Sequence, residues 1–292
     1  MNTLQTLVDY VVPLNLWVLM FVAGTEIRIQ DFQALRRDPS PTVIGAIGQL
    51  AFLPLVSLAI VNSIDLDPTI ALGAIILSLC PGGGISNTYC YLARSNVLLS
   101  AMIAVVGTVA SLLTIPLWLQ VLPTIDGSPN FGALPALTII GQLLVIMIVP
   151  LGVGMLARHS KPRLVERVAP TLRRTSTVLI VAILLSALAT VGPDLKMFSF
   201  DIFLAATLFI VSAMLLGALL AARMTSRDRP VIVIESAVRN ISVALILGGA
   251  LLEQGSFGLF ATFLTGYFLV EIVIMLTFAT LLAKQSGASL SP

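Results

Sequence analysis

The stretch IESAVRN, residues 234–240, sets an acid, Glu235, and a base, Arg239, one helical turn apart inside an apolar run, with Asn240 beside them. Each such charge costs about 2.5–3.5 kcal/mol at the centre of a membrane helix. The structural reading is an i,i+4 salt bridge that neutralises itself. The functional reading is a site, the default for charge within hydrocarbon. A second anomaly is LCPGGGISNTYCYLARSN, residues 79–96. Pro81 has no N–H and Gly82, Gly83 and Gly84 have no side chains, so a helix loses hydrogen bonds and stiffness there. That break reads either as a kink at a tight helix crossing or as an opening for a ligand. In the second case Ser86 and Asn87 supply oxygens and the half-helix that follows offers its N-terminus to an anion. Glu271 is a third charge within an apolar run, either a proton carrier or a hydrogen-bond partner facing a polar cavity. Gln142 and Thr108 read as helix–helix hydrogen-bonding residues. Cys80, Cys90 and the single histidine, His159, have the spacing of neither a disulfide framework nor a zinc site.

These residues need elements to hold them, and composition says which. Of 292 residues, 58% are hydrophobic and 10% charged, where soluble domains are about a quarter charged. The mean hydropathy is +1.04. The chain is predicted to be an all-α polytopic membrane protein, without the alternation of a barrel. A ruler of about 20 apolar residues predicts nine transmembrane helices: 7–24, 42–63, 68–92, 98–122, 134–157, 175–192, 199–221, 230–252 and 257–283. Of the 16 Lys and Arg, all but Lys196 and Arg239 fall in the connections after segments 1, 3, 5 and 7 or at the C-terminal end. The positive-inside rule then puts the N-terminus outside and the C-terminus in the cytoplasm. No basic residue precedes the first apolar run, so it does not read as a secretory signal.

Segments 3 and 8 are five apart and run in opposite directions, each with an asparagine (Asn87, Asn240) after its polar cluster. This placement predicts an inverted-repeat transporter, its two discontinuous helices crossing near the midplane around a substrate. Segments 4 and 9, and 2 and 7, are the further partners.

The motifs P-G-G-G-I-S-N, L-A-R-S-N-V-x-L-S and E-x-x-x-R-N, with the early WVLMFVAGTEIRIQDF, resemble the bile acid:sodium symporter family over nearly the whole chain. The resemblance implies a core domain, approximately 42–122 and 199–283, carrying the crossed helices 68–92 and 230–252. Panel helices, approximately 7–24 and 134–192, would move relative to it. It implies sodium-driven uptake of an organic anion, from bile acids to small carboxylates, across the cell (inner or plasma) membrane. A first sodium site would fall on Ser86, Asn87, Ser100 and Glu235, and a second on Gln49 and Glu235. Gly84, Ile85 and Asn240 would face the substrate.

Two positions depart from the family pattern. A threonine hydroxyl of the first site falls on Ala104, and a glutamine of the second falls on Arg239. A fixed cation about 4 Å from a sodium ion costs around 4 kcal/mol at an effective dielectric of 20. Arg239 is therefore expected to replace the second sodium, or else to swing out and pair with a substrate carboxylate. The leading expectation is a sodium-coupled secondary transporter. The alternative is a sodium-independent facilitator or exchanger, or a proton-coupled transporter using Glu271. Thiolate ligation by Cys80 would suit arsenite transport, as in a related permease family, yet that cysteine also suits the symporter pattern. No enzyme is expected, since no nucleophile–base pair, His-x-x-x-His or paired aspartates occur. No cofactor and no metal other than sodium is implied. The partners are the organic anion and the bilayer, with no nucleic acid and no implied oligomeric state.

Overall fold

The computed structural model describes residues 10–28, 31–122, 136–191, 195–252 and 254–288. Among them the regular elements are helices: α1 (Val12–Thr25), α2 (Asp31–Arg37), α3 (Ser40–Ser63), α4 (Pro68–Leu79), α5 (Ser86–Leu92), α6 (Val97–Val121), α7 (Leu137–Ser160), α8 (Pro162–Val191), α9 (Leu195–Leu220), α10 (Arg229–Ala237), α11 (Ile241–Leu251) and α12 (Gln254–Ala288). Six of them, α3, α6, α7, α8, α9 and α12, contain stretches long and apolar enough to cross a bilayer, and α1, α4 and α11 are shorter apolar helices. The chain is thus an all-helical polytopic membrane protein, as its composition requires.

Proline positions account for much of the local geometry. Pro54 cannot donate to the Leu50 carbonyl four residues back. The chain is π-helical over Gly48–Phe52 just before it, and the Trp118 indole N–H of α6 donates to Leu50 O at 2.8 Å. The same order, a π-helical Leu144–Ile148 ahead of Pro150, recurs in α7. The first π stretch carries Gln49, which is fully buried, in keeping with the tendency of such bulges to sit at functional sites.

Segment 68–92 resolves into α4 and α5, and segment 230–252 into α10 and α11. After α5, Arg94 adopts a left-handed φ of 55°. This turn returns both the backbone N–H and the hydroxyl of Ser95 to Cys90 O, at 3.0 and 2.9 Å. Asn96 then caps α6 by accepting from Leu99 N, and its amide donates to Asp228 at 2.8 Å, joining the loops ahead of α6 and α10.

One boundary differs materially from expectation. Segment 175–192 begins 13 residues earlier, because α8 starts at Pro162. Arg163, Arg167, Arg173 and Arg174, expected in a connection, are helical. Their charge and the internal Pro170 hide a helix whose Val165 and Ala169 are nevertheless buried.

Helix α1 packs on α7 and α8, while α9 packs on α10 and α12. The α1–α7 contact is glycine-mediated. A Cβ on Gly154 would fall onto the Phe21 carbonyl oxygen, and Gly24 Cα lies 3.1 Å from the same position. Gly152, on the same helix, has nothing within 4 Å. Gly154→Val should therefore lower stability in detergent by about 1–3 kcal/mol or more through overpacking. Gly152→Ala should be neutral or gain up to about 1 kcal/mol. Unfolding midpoints of the two variants check this pair.

Candidate functional site

Residues 80–85 and 238–240 are where α4 and α10 stop, and each break completes the other. Gly83 N donates to Val238 O at 3.2 Å and Asn240 N to Pro81 O at 3.0 Å, giving an isolated antiparallel bridge between Gly82 and Arg239. The N–H of Arg239 donates to the Tyr267 hydroxyl at 2.9 Å, and that hydroxyl donates to Ala237 O at 2.6 Å. Tyr267, from α12, is fully buried and so serves two backbone groups that the break leaves free. Asn240 caps α11 by accepting from Val243 N.

Contact with backbone requires a glycine at Gly83, while at Gly82 the close neighbour is a side-chain tip. A Cβ at Gly82 would lie 2.5 Å from Glu235 Oε2, and one at Gly83 would lie 2.7 Å from the Arg239 carbonyl oxygen. At Gly84 nothing lies within 4 Å, because this residue faces a cavity.

The expected site residues fall into two connected groups. Ser86, Asn87, Ser100 and Glu235 come together. Ser86 Oγ and Ser100 Oγ approach Glu235 Oε1 at 2.6 and 2.5 Å, and Ser100 Oγ lies 2.7 Å from Asn87 Oδ1. Each hydroxyl has one proton, and Ser86 also faces Gly83 O at 2.8 Å, so acceptor lone pairs outnumber donors here. Glu235 Oε2 is buried with no hydrogen-bond partner. Ala104 contributes no hydroxyl, and its carbonyl accepts from Thr108 Oγ1 at 2.7 Å.

In the second group the Arg239 guanidinium donates to Gln49 Oε1 at 3.0 Å, to Cys80 O at 3.1 Å and to the Glu235 carbonyl oxygen. Arg239 is only 2% exposed. Its side chain thus takes the backbone oxygen of Glu235 rather than the carboxylate. Among the described residues the ion pairs are Arg158–Glu166 and Arg173–Glu26, so a self-neutralising 235–239 salt bridge is not formed.

Gly84, Ile85, Asn87, Arg239, Asn240 and Glu271 line one cavity of about 300 Å³. On the opposite side it is walled by α1, α7 and α8, including Glu26, Leu151 and Arg173. Glu271 accepts from the Tyr89 hydroxyl at 3.3 Å, and its other oxygen is unpartnered. Glu26, Arg173, Tyr89 and Tyr267 did not stand out in the sequence. Glu26 lies at the end of the first apolar run and Arg173 sits among other arginines. A tyrosine in an apolar segment reads as core.

A polytopic helical protein whose broken helices meet beside an internal cavity has the architecture of a membrane transporter rather than an enzyme. The chain belongs to the Sodium Bile acid symporter family, whose model matches residues 13–197. It is 27% identical to the "Uncharacterized sodium-dependent transporter YocS" of Bacillus subtilis (strain 168), over 85% of this chain and 76% of that one. It is 26% identical to the "Probable sodium/metabolite cotransporter BASS2, chloroplastic" of Oryza sativa subsp. japonica, over 70% of this chain and 47% of that one. The human "Ileal sodium/bile acid cotransporter" is 27% identical over 75% of this chain and 63% of its own length. The chain therefore spans about half the length of the plant relative and under two thirds of the human one.

Two outcomes are expected at the crossing. Gly83→Ala, which drives a Cβ into backbone, should give a misfolded or strongly destabilised protein, whereas Gly84→Ala should fold with wild-type stability and only reduce the cavity, as size-exclusion profiles and melting curves will report. Tyr267→Phe leaves the Arg239 N–H and the Ala237 carbonyl without their partner. A loss of about 1–3 kcal/mol in unfolding free energy is expected.

Proposed function

We propose that this protein is a secondary active transporter of an organic anion, driven by one sodium ion, with Arg239 held in place of a second. The observation that carries the reading is the Arg239 guanidinium lodged among Gln49 Oε1, Cys80 O and the Glu235 carbonyl. Three oxygens of separate elements converging on one buried positive charge make a cation site with its cation attached. A sodium ion added there would meet repulsion of about 4 kcal/mol.

The remaining ion would bind at Ser86, Asn87, Ser100 and Glu235, where surplus lone pairs and the unpartnered Glu235 Oε2 favour a cation. The missing hydroxyl at Ala104 makes this site weaker. One sodium moving down a tenfold gradient provides about 1.4 kcal/mol, and because symport with a monovalent anion moves no net charge the membrane potential adds nothing, so accumulation is about tenfold. The relatives' names support sodium coupling and an organic-anion cargo such as a bile acid or metabolite.

The architecture that goes with this function is nine spans in an inverted repeat, α4/α5 pairing with α10/α11. A panel of α1, α7 and α8 would rock against the core that holds the crossing, alternately opening the cavity around Gly84, Ile85 and Asn240. The protein would lie in the cell membrane with its N-terminus outside and its C-terminus in the cytoplasm.

Sodium titrations of thermal stability in choline-balanced buffer test the assignment. Wild type should respond with a Hill coefficient near 1, Ser100→Ala should lose the response, and Arg239→Gln should move toward two ions. A wild-type response that needs two ions, or a sodium response unchanged by Arg239→Gln, would overturn it. A second reading, proton coupling, draws on Glu271, which lines the cavity with one oxygen unpartnered. Uptake in proteoliposomes that follows a pH gradient in choline, and is abolished by Glu271→Gln, would select that reading instead.

A further inference from the structure

The cavity wall opposite the crossing contains a polar pair, Glu26–Arg173, that belongs to neither ion group. Glu26 is the residue directly after α1, and its carboxylate is held from two sides. Asn87 Nδ2 of α5 donates to Glu26 Oε2 at 2.7 Å, and Arg173 Nη2 of α8 pairs with Glu26 Oε1. All three residues line the 300 Å³ cavity. The Glu26 and Arg173 side chains retain 24% and 43% of their exposure, so the pair is open to the cavity rather than sealed in the core.

A guanidinium and a primary amide aimed at the two oxygens of one carboxylate are the donors that carboxylate recognition uses. We infer that Arg173 and Asn87 form the seat for the carboxylate head of the transported anion, and that Glu26 occupies this seat as a tethered competitor that the substrate must displace. The inference rests on the transport reading and adds to it the chemical class of the cargo: an organic monocarboxylate. The rest of the wall fits that class, since Met20, Ile27, Val105, Ile180 and Phe268 offer an apolar surface for the body of the molecule.

Two consequences follow from the geometry. First, Glu26 ties α1 to α5 through Asn87 and to α8 through Arg173, so its displacement removes the polar tie between the α1 side of the cavity and α5. The empty protein is thereby latched, and cargo releases the latch. Second, Asn87 faces both ligands with one amide. Its Oδ1 sits 2.7 Å from Ser100 Oγ in the oxygen cluster around Glu235, while its Nδ2 points at the carboxylate. A cation attracts the oxygen end and so fixes the N–H end toward the anion, which couples the two binding events through a single planar group.

The test uses acetate as the smallest carboxylate probe on the purified full chain, read by thermal shift against equal chloride and against acetamide. Glu26→Ala vacates the seat, so acetate should bind it at least tenfold more tightly than it binds wild type. Acetamide should have no effect. The double variant Glu26→Ala/Arg173→Gln should lose this binding at least tenfold. Should Glu26→Ala fold poorly, Glu26→Gln keeps the side-chain volume, and it too should bind acetate more tightly than wild type. Equal acetate response in wild type and both Glu26 variants overturns the inference, as does acetate binding that survives Arg173→Gln. Failure of the transport reading is seen separately: wild type in proteoliposomes would take up no carboxylate in sodium, whatever acetate does at residue 26.

Discussion

A backbone N–H or C=O set free in the middle of a bilayer has no water to turn to, and leaving it unpaired costs several kcal/mol. Two helices of this protein, α4 and α10, stop in its buried interior, and much of the site follows from how the freed groups are satisfied. The two breaks bond to each other through Gly83, Val238, Pro81 and Asn240. Tyr267 takes the N–H of Arg239 and the carbonyl of Ala237. The Arg239 side chain takes the carbonyls of Cys80 and Glu235. Each repair brings a polar group to the same depth, so the solution to a hydrogen-bonding problem is also what collects the ionisable residues.

The Arg239 side chain therefore does two things at once. It closes backbone carbonyls, and it puts a permanent positive charge where three oxygens from three segments converge. A metal ion could provide the charge and accept the same oxygens, but it would come and go. A tethered guanidinium is always present. On the reading proposed above, that difference would convert an occupancy coupled to an ion gradient into a fixed part of the scaffold.

The cavity shows a division of labour between its two sides. The crossing side offers backbone, glycine surface and the oxygen cluster around Glu235, joined by reciprocal bonds. The α1, α7 and α8 side offers an apolar wall and the Glu26–Arg173 pair, attached to the crossing side through Asn87. Glycine contacts between α1 and α7 hold that second side together. Apolar packing of α1 on α11 and of α8 on α12 joins the two sides as well.

The sequence by itself determined the class of this protein and the location of its first break. Apolar run length dictates helices, and Pro81 with three glycines cannot continue one, so both follow from local chemistry. Likewise Ser86, Asn87, Ser100 and Glu235 could be grouped, because motif resemblance carries over spacing along the chain. Tertiary structure alone decided which acceptors the Arg239 guanidinium reaches, because the oxygens of Gln49 and Cys80 lie more than 150 residues away along the chain. It also decided that Gly83 is pressed against backbone and Gly82 against the Glu235 carboxylate while Gly84 has open space, a distinction invisible in three identical letters. Glu26, Arg173 and Tyr267 carried no local signal. Their significance lies in a direction of approach across helices, and a one-dimensional pattern records composition and period but not which face meets which.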